Sequence, residues 1–190
     1  MIKALFSATT AVGVDQSEYV VKGLLNCCRY SWLRLRLIEE GCINYLHSLV
    51  PGLANKIPAL QKELSLSMII VVRSMSDSSG CRQDLMNKKC VQLFLAIFEH
   101  SDNRGKLFMA KTIHNFLKVP ILMNDITFVH AVQLVGRIVH HFFVNTKLPS
   151  VATGQYTAAC LAVFVDERLR GAWQTCLVFP CCRPTPTLSV

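Results

Sequence analysis

Leu37-Ile38-Glu39-Glu40-Gly41-Cys42-Ile43 decides how this chain is read, because the block comes back. It recurs 48 residues on as Leu85-Met86-Asn87-Lys88-Lys89-Cys90-Val91, and more weakly as Leu122-Met123-Asn124-Asp125-Ile126. Each strong copy closes one apolar segment, passes through polar residues, and opens the next segment on a cysteine. A second block repeats beside it: Leu24-Leu25-Asn26-Cys27, Val72-Arg73-Ser74-Met75 and Ile113-His114-Asn115-Phe116. The third positions of these, 26, 74 and 115, are 48 and 41 residues apart. Periods of roughly 40–47 residues mark two- or three-helix repeat units.

Working outward, the apolar residues recur at helical spacing. Val21, Leu24, Leu25 and Cys28 share a face, as do Leu60, Leu64, Val71 and Met75, and Leu107, Ala110, Ile113 and Leu117. Shorter stripes lie between them: Ile43, Leu46, Val50; Val91, Phe94, Leu95, Phe98; and Phe128, Val132, Val135, Val139. Sustained period-two alternation is missing, so the fold class is all-α. Gly41, Pro51-Gly52, Pro58, Ser76 to Gly80, Ser101 to Gly105, Pro120 and Pro149 to Gly154 punctuate the stripes. Every helix is therefore short and needs neighbours to cover its apolar side.

These repeats resemble the armadillo family. Its units run short helix, glycine or polar step, second helix, loop, and a longer third helix ending in an apolar-x-Asn-apolar signature. One unit here ends its first helix at Leu37 to Glu40, steps at Gly41, and has further helices over 42–50 and 58–76. The next has helices over 80–89, 90–100 and 104–118; a further copy covers 119–125, 126–144 and 154–165. Residues 1–29 read as the second and third helices of a unit whose first is absent. The resemblance implies a right-handed α-solenoid of about three to four armadillo-type repeats over residues 1–165, with 166–190 a poorly defined tail. Apolar residues at 1–4 and the lack of polar end caps suggest a piece of a longer solenoid, or self-association through uncapped ends.

The family's third helices line a concave groove for extended peptides or partner helices, and the signature Asn can both donate to and accept from a ligand backbone. Asn26 and Asn115 hold that position, with Ser74 replacing it between them. Nuclear-import receptors of the family carry Trp one turn earlier, where this chain has Lys22, Ile70 and Lys111. The missing tryptophan ladder argues against basic nuclear-localisation peptides. Lys22, Arg29, Arg73 and Lys111 suit an acidic or phosphorylated protein segment instead. With Asn26, Ser74 and Asn115 they form the candidate partner-binding set.

Composition supports a packed protein, with 52% hydrophobic and 17% charged residues. Twenty basic residues against 12 acidic give a formal charge of +8. No basic run exceeds Lys88-Lys89, and none is interleaved with aromatics, so nucleic acid is not the expected partner. The chain has nine cysteines but no C-x-x-C pair and no zinc-ligand spacing. No secretory leader is apparent, and reduced thiols fit a cytoplasmic protein. Residues 126–144 resemble a membrane span, but His130, Gln133, Arg137, His140 and His141 would be costly there.

Catalytic signatures are lacking: no G-x-S-x-G elbow, phosphate loop or H-E-x-x-H motif occurs. Adjacent His140 and His141 point about 100° apart on a helix, which suits no metal. The expectation is a scaffold without catalysis, cofactor or metal. An alternative is a membrane-associated adaptor anchored by lipidation of the tail cysteines, Cys181 and Cys182.

Overall fold

The structure, a computed structural model, describes residues 17–87, 89–117, 125–142, and 154, 155 and 158. Eight helices and no strands occur among the described residues: α1 Ser17–Cys27, α2 Ser31–Glu39, α3 Cys42–Leu53, α4 Pro58–Ser76, α5 Ser79–Asn87, α6 Cys90–Ile97, α7 Asn103–Leu117 and α8 Asp125–His140. The all-α expectation holds. Residues 1–16, the span 143–153 and the tail 166–190 with its cysteines lie outside the described residues, as does most of the expected helix over 154–165.

Helices of like position in the two repeats pack on one another. The long α4 lies between α1 and α7, α2 packs on α5, α3 on α6, and α6 on α8. The 48-residue offset is also written in the core. Leu37, Ile38, Cys42, Ile43, Tyr45 and Leu46 are all buried, and so are Leu85, Met86, Cys90, Val91, Leu93 and Phe94. Burying each large side chain of this kind contributes about 1.5–3 kcal/mol, so packing of the two blocks into one core stabilises both.

Two further features repeat at the same offset. Gly41 (φ 94°) and Lys89 (φ 62°) both take the left-handed conformation at the step into α3 and α6. Arg34 Nε donates to the Cys28 carbonyl at 2.7 Å, and Arg82 Nε donates to the Ser76 carbonyl at 2.8 Å. In each case the helix that follows supplies a guanidinium to the open C-terminal end of the helix before it.

Local sequence explains the helix ends. Ile57 is extended, and Pro58 starts α4 where its missing N–H costs no helical bond. The break expected at Pro51-Gly52 is not observed, because α3 runs on to Leu53. Pro51 falls in the final turn and removes one hydrogen bond, with too little helix left beyond it for a kink to matter. Gly105, also read as part of a break, lies inside α7, where its N–H meets Asp102 Oδ1 at 2.7 Å. A methyl group there would sit 3.0 Å from Ile69 Cδ1, so the glycine lets α7 approach α4 closely.

Candidate partner-binding face

Each of α1, α4 and α7 carries an incompletely buried strip at i, i+3, i+4 spacing. On α1 the strip is Lys22 and Asn26, continued by Arg29 in the turn just past the helix, all exposed; on α4 it is Ile70, Arg73 and Ser74, all half-buried. On α7 it comprises exposed Arg104 and half-buried Phe108 and Lys111. The helices touch through side chains, since Lys22 Nζ lies 3.2 Å from Glu63 of α4 and Arg73 stands over the Phe108 ring of α7. Asn115 is put to another use.

Charge is not even along this face. Lys22 pairs with Glu18 within α1 as well as with Glu63 across to α4, and these hydrogen bonds raise its pKa above the ordinary value. Two carboxylates thus neutralise Lys22. Arg73 and Arg104 are held differently: their Cζ atoms lie 4.8 and 5.5 Å from the centroid of the Phe108 ring. A ring face attracts a guanidinium without occupying its N–H donors. Neither arginine side chain forms an ion pair or hydrogen bond among the described residues, and Arg73 Nε is enclosed without a partner.

Asn115 is 5% exposed, and its Nδ2 donates to Ser76 Oγ at 3.2 Å and Asp77 Oδ1 at 3.1 Å. The donors expected to face a ligand tie α7 to the end of α4. Arg104 and Phe108 were missed in the sequence, because the signature residues drew attention to the last turns of the helices. The i−3 step from Lys111 back to Phe108, and the i−4 step from there to Arg104, carried the signal.

A second polar cluster was also missed. Lys106 is 6% exposed, with Nζ 3.4 Å from both ring nitrogens of His141 and 4.8 Å from the Phe98 centroid. Burial lowers the pKa of Lys106, and that of His141 is lowered first by burial and then by Lys106. A signal existed here too. Residue 106 falls on the same stripe as Ala110 and Ile113, so periodicity aims this lysine inward.

The cysteines among the described residues are all free thiols. Burial pushes Cys28 up to about 12 and also raises Cys42, Cys81 and Cys90. They act as small apolar core residues. Half-buried Cys27 opens instead on a cavity of about 320 Å³ between α1 and α2, lined by Tyr19, Val20, Gly23, Leu24, Leu33 and Leu37. Beside it Tyr19 and Trp32 are exposed. Among the described residues no group of three His, Cys, Asp or Glu side chains is placed to hold a metal ion. Among them, too, no helix is long and apolar enough to cross a membrane.

No family model matches the chain, and neither the curated proteins nor the solved structures contain a match.

Proposed function

We propose that this protein is a cytoplasmic binding scaffold of armadillo-type repeats, a right-handed α-solenoid that acts by docking and not by catalysis. Its ligand is an extended acidic segment, or a partner helix with an acidic face, laid across α4 and α7. The supporting observation is the pair of guanidiniums of Arg73 and Arg104, held beside Phe108 with their hydrogen-bonding donors uncommitted. Such forks match carboxylates bidentately. Like-on-like helix packing and the 48-residue recurrence of Gly41/Lys89 and Arg34/Arg82 support the repeat reading.

Lys111 extends the basic strip, and Ser74 and Asn26 supply polar groups along it. Lys22 belongs to the face but meets its carboxylates within the protein. Asn115 contributes by fixing the angle at which α7 meets α4. Crosslinking mass spectrometry on the native full chain tests the proposal. Crosslinks from partner carboxylates to Lys111 support it, and partner crosslinks confined to other helices count against it.

A further inference from the structure

The buried contact between Lys106 and His141 has a physical requirement. An ammonium group only donates hydrogen bonds, and so does a doubly protonated imidazole. His141 Nε2 lies 2.9 Å from Asn103 Oδ1. Lys106 Nζ lies 3.4 Å from both Nδ1 and Nε2, so it sits against the ring and off the lone-pair direction of either nitrogen. A neutral ring accommodates that ammonium, whereas a protonated ring sets a second positive charge beside it.

We propose that this junction is an acid-released latch, in which neutral His141 holds the end of α8 against α7 and its protonation lets that end go. His141 packs edge-on against Phe98 at 6.2 Å and Phe142 at 5.2 Å, so a charged ring would sit against apolar groups and a buried ammonium. Release exposes Phe98 and Phe142, each 4% exposed while the latch is closed.

The charged neighbours do not cancel this effect. On the cationic side stand Lys106 from α7, Lys62 from α4, and Arg137 and His140 from α8, with Arg137 Cζ 6.0 Å from the Phe98 centroid. Glu99 opposes them at both Lys106 and His141, and Asp102 at Lys106. The sign of the pH effect follows from proton affinity. The folded state binds the His141 proton more weakly than the unfolded chain, whose histidine titrates near 6.5. Stability is therefore fully present above about 6.5 and is lost as pH falls through that value toward the lower folded pKa.

A second histidine ties α8 to its neighbours, with Gln92 Nε2 3.0 Å from His130 Nδ1, and among the described residues no ammonium group is hydrogen-bonded to that ring.

Histidine side-chain NMR titration and amide protection factors on the full chain test the latch. His141 is expected to titrate below 6.5, and protection over residues 134–140 to fall by up to roughly tenfold per pH unit while one proton is taken up. His141→Gln, a neutral donor and acceptor, should keep the protection and remove its pH dependence. Lys106→Met should move the His141 midpoint upward, and His130→Gln should leave the pH dependence intact. A midpoint at or above 6.5, or undiminished pH dependence in His141→Gln, overturns the proposal.

Discussion

Asn115 of α7 donates from Nδ2 to Asp77 Oδ1, one residue past the end of α4, at 3.1 Å, with Ser76 Oγ on the same nitrogen at 3.2 Å. Asn115→Ala removes two cross-helix bonds and leaves buried Ser76 less well satisfied. The expected cost is about 1–3 kcal/mol. Asn115→Asp should be worse, because it faces Asp77 with a second carboxylate. Urea unfolding followed by far-UV circular dichroism measures both, the midpoint falling without a change in slope.

Gly41 and Lys89 occupy the same left-handed step, but only Gly41 is free of the steric cost that a side chain brings there. Lys89→Gly should therefore stabilise the chain by about 0.5–1 kcal/mol, and Gly41→Ala should destabilise it by about the same amount. Nothing lies within 4 Å of a methyl group built on Gly41, so the penalty there is one of backbone conformation alone. Opposite shifts in thermal midpoint for the two variants would bear this out.

The helices were legible because Leu37, Ile38, Cys42 and Ile43 recur as Leu85, Met86, Cys90 and Val91, all of them buried. Their ends were less so. Pro51 and Gly105 are breakers by type, yet one sits in a last turn and the other at a close helix contact, and only the packing reveals that. Of the candidate face, Lys22 is exposed and Arg73 and Lys111 are half-buried. What the sequence withheld was pairing. Lys22 meets Glu63 across 41 residues and Arg73 meets Phe108 across 35, and no local pattern encodes either encounter.

Those pairings separate the cationic residues in a binding assay. Arg73→Glu or Arg104→Glu should weaken an acidic peptide roughly tenfold or more, since each deletes a charge-assisted contact and adds repulsion. Lys22→Ala should change affinity less than twofold, because Glu18 and Glu63 already surround that ammonium. Titration calorimetry with one acidic peptide decides between them. Equal losses for Lys22→Ala and Arg73→Glu would rule out an α4–α7 site.

Thiol chemistry should follow the same map of burial. Cys27 borders an open cavity, whereas Cys28, Cys42 and Cys90 are enclosed and reluctant to form the thiolate that reacts. Iodoacetamide labelling at neutral pH, read peptide by peptide, should mark Cys27 in the native chain. The other three should label only after denaturant is added.

The guanidinium bonds from Arg34 and Arg82 bear on where this chain can be cut. A fragment excised at Asp77 looks complete by its helices, yet the last carbonyls of its longest rod are left without the arginine that seals them. A nascent chain faces the same gap until residue 82 has been synthesised. The natural seam between excisable pieces therefore lies beyond the first helix of the following unit, so that each piece carries its own seal.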